Sequence, residues 1–166
     1  MAPQEFNQEF SDFIEAHKKI IFKVCNSYCS NPEDRKDLAQ EIVFQIWKSF
    51  EKYNDKYKIS TWIYRIALNV AISFYRHKKR RLENFTPIND SILEYAAPDE
   101  NGNQLQLKTL HESIEKLDPL NRALMILYLD DNSYKEISEI LGISESNVAT
   151  KLNRIKQKLK QQLQKA

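Results

Sequence analysis

Apolar residues recur every three to four positions along most of this chain. Strict two-residue alternation is missing over any useful length, so the pattern predicts helices and no sheet. Between about Gln8 and Ser30 the apolar positions are Phe10, Phe13, Ile14, Ile20, Ile21, Val24 and Tyr28, which predicts a first helix. Asn31-Pro32 then supplies a cap and a first-turn proline ahead of Glu33 and Asp34, and the second helix runs to about Phe50. A polar, tyrosine-containing loop follows from Glu51 to Ile59. Ser60 reads as the cap of a third helix that runs into the basic tract His77 to Arg81.

Residues 83–108 break the periodicity. They hold Pro87, Pro98 and Gly102, and the acids Glu83, Asp90, Glu94, Asp99 and Glu100 against the single base Lys108. Structureless stretches of this length are uncommon inside one domain, so they read as a linker. Fully extended it reaches about 90 Å at ~3.4 Å per residue. Its acidity also fits an ordinary solvated linker. Periodicity resumes near Thr109, with a helix around His111 to Leu117 and another from Asp118-Pro119 through Leu129.

Beyond it, Ser133 and Glu136 form the sequence signature of a capping box. Ile137, Ile140 and Leu141 give the short helix they open one apolar face. Gly142 breaks it, since glycine readily takes the left-handed conformation. Ser144 caps a further helix with Val148, Leu152, Ile155 and Leu159 as its buried stripe. The whole predicts a helix-turn-helix. At ~100° per residue the opposite face carries Ser146, Asn147, Thr150, Asn153, Arg154 and Gln157, residue types that read base edges in the major groove. Lys151 and Lys158 flank that face, where phosphates would lie. A helical hairpin with a solvated polar face is the plainer alternative.

Two more faces exceed what a simple core requires. On the second helix Leu38, Ala39, Ile42, Val43, Ile46 and Phe50 fall on one side, and Asp37, Gln40, Glu41, Phe44, Trp47 and Lys48 on the other. Exposed aromatics rimmed by polar groups mark protein contact sites. Alternatively, the first helix or the N-terminus folds over Phe44 and Trp47. On the third helix Ile63, Ile66, Ala67, Val70 and Phe74 form the core stripe, and Arg65, Asn69, Arg76, Lys79 and Arg80 the far side. A basic tract interleaved with Trp62, Tyr64 and Tyr75 suits phosphate contact and base stacking. The helix dipole alone would explain Lys78 to Arg81, but it explains Arg65 and Asn69 less well.

Composition narrows the choice. With 166 residues and a net charge of +2, any nucleic-acid binding must come from local basic patches. No apolar run approaches the ~18 residues needed to span a bilayer. The first residues lack the charged and apolar regions of an export signal, so the expected compartment is the cytoplasm, with no membrane insertion. Cys25 and Cys29 lie one helical turn apart, with His17 two turns away. They fit either buried free thiols or an incomplete metal or redox pair, since zinc needs about four ligands. His17, His77 and His111 are scattered. There is no catalytic constellation, Gly-rich phosphate loop or metal-ligand cluster, so the expectation is a protein without enzymatic activity, cofactor or metal.

Three segments, in order and separated by the acidic linker, resemble bacterial RNA polymerase sigma factors of the extracytoplasmic-function (ECF) class. They are Asp34-Arg-Lys-Asp-Leu-Ala-Gln-Glu-Ile-Val-Phe-Gln-Ile-Trp47, Thr61-Trp-Ile-Tyr-Arg-Ile-Ala-Leu-Asn69, and the helix-turn-helix ending Leu152-Asn-Arg154. The resemblance implies an all-α chain of two small domains, 1–82 and 109–166, joined by a flexible acidic linker. It implies docking of Asp37, Gln40, Glu41, Phe44 and Trp47 on the clamp helices of the polymerase's largest subunit, with the second domain meeting the flap region. Arg65, Asn69, Arg76, Lys79 and Arg80 would line the minus-ten promoter DNA. Tyr53, Asn54 and Tyr57 would form a pocket for a base flipped from the non-template strand, where stacking and hydrogen bonds must offset the unstacking cost. Ser144, Ser146, Asn147, Thr150, Lys151 and Arg154 would read the minus-thirty-five duplex. Members of the class are commonly held by anti-sigma factors, a further partner the resemblance implies.

The sequence departs from the family at Leu68, where an arginine is frequent, and at Ala149, where a lysine is frequent. The competing reading is a stand-alone helix-turn-helix transcription regulator, dimeric on palindromic sites, which leaves Phe44 and Trp47 unexplained. A third is a sigma-like interaction protein without promoter function. Intact Arg65, Asn69, Arg76 and Arg154 argue against it.

Overall fold

The computed structural model describes residues 3–84 and 102–164, and every regular element in them is helical. Helix α1 spans Pro3–Tyr28, α2 Pro32–Ser49 and α3 Ile59–Asn84. Then follow α4 Gly102–Glu115, α5 Pro119–Leu129, α6 Tyr134–Leu141 and α7 Glu145–Gln164. A short 3₁₀ turn, Phe50–Lys52, continues α2.

The caps fall largely where the sequence put them. Asn31 accepts the Glu33 amide at 2.8 Å and Pro32 occupies the first turn of α2. Asp118 accepts the Asn121 amide at 2.9 Å at the start of α5. The capping box is closed both ways: the Glu136 amide donates to Ser133 Oγ at 3.1 Å, and the Ser133 amide to Glu136 Oε2 at 3.0 Å. Gly142 ends α6 at φ +70°, and Ser144 Oγ accepts the Asn147 amide at 3.1 Å.

Three boundaries differ. α1 begins at Pro3, not Gln8, because Phe6 extends the apolar stripe by one turn and meets the Phe50 ring at 5.6 Å. Ser60 does not cap α3: the helix already includes Ile59, and the Trp62 amide bonds the Lys58 carbonyl. α4 begins at Gly102, inside the stretch read as linker. Gln and Leu favour helix, and Leu107, Leu110 and Ile114 keep helical spacing, a signal outweighed in the sequence reading by nearby prolines and acids. The acidic stretch 85–101 lies outside the described residues.

The first three helices pack around Val24, Leu38, Ile42, Ile46, Ile63 and Ala67, all 0% exposed. Phe6, Phe10 and Phe13 close edge-to-face on Phe50. The C-terminal half packs around Leu124, Leu127, Ile137, Val148 and Leu152, also fully buried. The halves are not separated: α5 touches α1 and α3, and α6 touches α3.

Candidate partner and nucleic-acid interfaces

On α2 the amphipathic pattern resolves as expected. Leu38, Ile42 and Ile46 are buried, while Phe44 is 49% and Trp47 46% exposed. Neither α1 nor the described N-terminus covers them. Their rings stack on each other, 6.5 Å between centroids at 24°, and the Lys48 ammonium sits 5.5 Å above Phe44. A shallow, almost wholly apolar groove beside them is lined by Phe10, Ala39, Val43, Phe44 and Trp47. Such a face stays exposed at a cost in hydration, which a partner would recover. Asp37, Gln40 and Glu41 rim it, all exposed.

A second groove, of about 830 Å³, runs between α2 and α3. Asp37, Gln40, Glu41 and Phe44 form one wall and Asn69, Ser73, Phe74 and His77 the other. The expected partner face and the expected DNA face thus share a border, with Asn69 on it. Asn69, Arg76, Lys79 and Arg80 are exposed and make no side-chain hydrogen bond or ion pair among the described residues. Lys78 is committed elsewhere, in an ion pair with Asp34 that ties the end of α3 to the start of α2.

Arg65 is half-buried, and its guanidinium lies 5.2 Å from the Tyr57 ring centroid. It therefore holds the loop before α3 instead of projecting freely. That loop is internally braced. Tyr53 Oη donates to the Tyr57 carbonyl at 2.8 Å, Asn54 Oδ1 accepts the Lys56 amide at 3.2 Å, and Asp55 takes φ +57°. Asx turns and left-handed acids of this kind fix a loop without glycine. Tyr53 also packs against Trp62, 5.0 Å between centroids. The three expected pocket residues are thus brought together on one ordered loop.

Two aromatics named for base stacking are not available. Tyr64 is 1% exposed and its hydroxyl donates to Asp130. Tyr75 is half-buried between Tyr28 and Arg122. The reason is geometric. From Tyr64 at zero, Leu68, Ala71 and Tyr75 fall within ~40° on a helical projection, a second buried stripe beside the core stripe. Leu68 is 1% exposed, so this position points inward, where an unpaired arginine would be costly.

On α7 the separation of faces is clean. Val148, Leu152, Ile155 and Leu159 are buried, and Ser146, Asn147, Thr150, Asn153, Arg154 and Gln157 are exposed. Thr150 Oγ1 donates to the Ser146 carbonyl at 2.9 Å and Ser144 Oγ lies 3.2 Å from Ser146 Oγ, so two of the hydroxyls are pre-engaged. Arg154 makes no such bond among the described residues. Lys151 is half-buried along the flank. This is a neutral polar surface with one projecting arginine, held by a rigid glycine-broken turn.

The cysteines resolve as buried thiols. Cys25 is 2% and Cys29 4% exposed, and burial pushes the Cys25 thiol up to about 12. His17 packs on Phe13, 4.8 Å between centroids, and no group of three metal-ligating side chains occurs among the described residues. No described helix is long and apolar enough to cross a membrane.

Sequence reasoning missed Arg122, which is 4% exposed between the two halves. A lone charge inside the apolar run Leu120 to Leu129 was the available signal.

Comparison with known proteins agrees along the chain. Residues 13–81 match the family model for sigma-70 region 2, and residues 107–159 that for sigma-70 region 4. The ECF RNA polymerase sigma factor SigW of Bacillus subtilis is 30% identical over 93% of this chain and 88% of its own length. SigV of the same organism is 28% identical over 92% and 89%. Among solved structures, the sigma factor RpoE of Bartonella quintana, in complex with the anti-sigma factor NepR, superposes with a TM-score of 0.71 at 17% identity, covering 95% of this chain and 98% of that one. CnrH, in complex with the cytosolic domain of CnrY, gives 0.68 at 19% identity, covering 95% and 89%.

Proposed function

From the premise that this chain belongs to the ECF class of sigma-70 family RNA polymerase sigma factors, we propose a division of labour among its surfaces. The chain is an alternative sigma factor that directs promoter-specific transcription initiation. It is not an enzyme and not a stand-alone regulator. In this reading Asp37, Gln40, Glu41, Phe44 and Trp47 dock on the clamp helices of the polymerase's largest subunit, and the C-terminal half meets the flap region. The supporting observation is the half-exposed Phe44–Trp47 pair with its acidic rim, a face the fold leaves uncovered.

Asn69, Arg76, Lys79 and Arg80 take the minus-ten DNA, supplying phosphate charge and polar contacts. Arg65 contributes by holding Tyr57, so that Tyr53, Asn54 and Tyr57 offer a braced pocket to a flipped base. Ser144, Ser146, Asn147, Thr150, Lys151 and Arg154 read the minus-thirty-five duplex, with Arg154 suited to a guanine edge. The two working domains are the bundle of α1–α3 and the C-terminal helices α4–α7. The chain acts in the cytoplasm, beside the polymerase. An anti-sigma factor belongs to this proposal as a regulator, since the structural relative RpoE is held by one.

The test is co-elution with purified bacterial core polymerase, followed by in vitro transcription from a promoter library. Complex formation with promoter-selective transcripts is the expected result. A folded chain that never joins core polymerase would sink the docking assignment.

A further inference from the structure

The first turns of α1 carry a pattern that none of the functional surfaces above uses. Phe6, Glu9 and Phe13, three and four residues apart, share one face of the helix. That face turns to the 3₁₀ segment, where Phe50 meets the Phe6 and Phe13 rings edge-to-face, with centroids 5.6 and 5.1 Å away. An edge-to-face pair covers one ring face where a stack covers two. All three rings stay half-buried.

Between this cluster and the start of α3 lies a groove of about 650 Å³, within the ~300–1,000 Å³ usual for ligand clefts. Its walls include the aromatics Phe6, Phe13, Phe50 and Tyr53 and the acids Glu9 and Glu51. Both acids are exposed, and neither has a hydrogen bond or ion pair among the described residues.

Tyr53 connects the groove to the base-pocket loop. Its hydroxyl donates to the Tyr57 carbonyl and its ring leans on Trp62, so the side chain is fixed in place. The Tyr57 ring is already engaged, by the Arg65 guanidinium at 5.2 Å and the Lys56 ammonium at 5.5 Å. The free aromatic surface next to the loop is therefore on the groove side, around Tyr53.

This lining is selective. Ring faces accept any base, and carboxylates choose among base edges. Unpaired cytosine, adenine and guanine each present an exocyclic amine, which a carboxylate accepts as a charge-assisted hydrogen bond. Thymine presents one N–H flanked by two carbonyl oxygens, which repel a carboxylate. Lys52 and Lys56, exposed on either side of Tyr53 in the chain, supply the charge that phosphates need. The same lysines would repel a basic peptide, so the surroundings favour a nucleotide.

We propose that this groove is a site for one unstacked nucleobase bearing an exocyclic amine, stacked among Phe6, Phe13, Phe50 and Tyr53, with Glu51 accepting from the amine. Helix α1 thereby takes part in reading the strand, and thymine is rejected at this position. That the base comes from the separated minus-ten strand rests on the function proposed above. The preference of the groove does not.

Fluorescence anisotropy of the full-length protein with labelled single-stranded hexamers of dC, dA and dT tests the site without polymerase or promoter. Wild type should bind the dC and dA hexamers roughly tenfold tighter than the dT hexamer. Glu51→Gln offers thymine a donor and should erase most of that preference. The readout is the ratio, because losing a negative charge raises binding of every strand. Phe6→Leu keeps an apolar side chain but removes a stacking face, and should weaken the dC and dA hexamers roughly fivefold or more. Circular dichroism and melting confirm that the variants are folded. Glu51 is on the surface, so its variant decides the matter even if Phe6→Leu melts early. Equal affinity for the three hexamers, no binding of any, or a preference that survives Glu51→Gln would overturn the site. Tighter capture of a hexaarginine peptide than of any strand, lost in Glu51→Gln, would also overturn it and make the groove a seat for a basic partner protein. The stated preference in a protein that never joins core polymerase would leave the groove standing and remove its promoter role.

Discussion

The two halves of this molecule present opposite kinds of surface. On α2 the N-terminal bundle leaves Phe44 and Trp47 half-exposed beside acids, whereas in the C-terminal half α7 buries Val148, Leu152, Ile155 and Leu159 and shows hydroxyls, amides and Arg154 on its opposite face. The first is suited to another protein, where burying apolar area drives association. The second is suited to base edges, which are read by hydrogen bonds. Mean composition hides this, because the net charge of +2 averages over two surfaces of different character.

The most forceful way to break the contrast is to remove the protein-facing anchors. Glu41→Ala with Trp47→Ala should weaken binding to core polymerase by ~3 kcal/mol or more, about a hundredfold, with minus-thirty-five duplex binding intact. Fluorescence anisotropy with labelled protein reads both. Equal loss on both ligands would mean that the halves do not divide the work.

The converse substitution is Arg154→Ala. It should cost ~1–3 kcal/mol at one promoter position and leave polymerase affinity alone, as read by a panel of single-base promoter variants. A uniform loss over all sequences would make Arg154 a phosphate contact.

Gly142→Ala sharpens the comparison at the level of the scaffold. A Cβ there meets nothing within 4 Å, so the penalty is the left-handed backbone alone, ~1–2 kcal/mol. The C-terminal half should melt earlier while polymerase docking persists.

The smallest effect concerns the contact between the halves. Burial favours the neutral form of Asp130, but the hydrogen bonds from Lys23 and Tyr64 outweigh it and hold the carboxyl below its ordinary value of 3.8. His111 and Glu115 of α4 line the same small cavity as Lys23 and Asp130. A lowered folded value means that the contribution of Asp130 is fully present above 3.8 and is lost as pH falls through its folded value. Compaction, read by small-angle scattering of the free protein, should therefore be level from neutral down to about pH 5 and weaken only in stronger acid. Weakening already near neutral pH would rule out Asp130 as the group responsible.

Local signals made much of this legible in advance. The capping box at Ser133, the break at Gly142 and the cap at Ser144 each act over a few residues, so the helix-turn-helix could be written down residue by residue. The outer face of α2 was legible for a related reason: Phe44 and Trp47 occupy helical positions that the core stripe does not need. The start of α4 was missed because a few prolines and acids upstream suggested linker, while the helix-forming run from Gly102 carried only propensity. Tyr64 and Tyr75 were misjudged because periodicity gives one core face per helix, and α3 has two.

The sequence by itself determined the helices, most of their ends, the two outward faces and the family, because caps, periodicity and motif spacing are properties of neighbouring residues. Only the tertiary structure decided that Arg65 holds Tyr57, that Leu68 points inward, and that Arg122 and Asp130 join the halves. The contacts between the halves link residues tens of positions apart. Their energies depend on desolvation and on the direction of a side chain toward a distant partner, which no local pattern encodes.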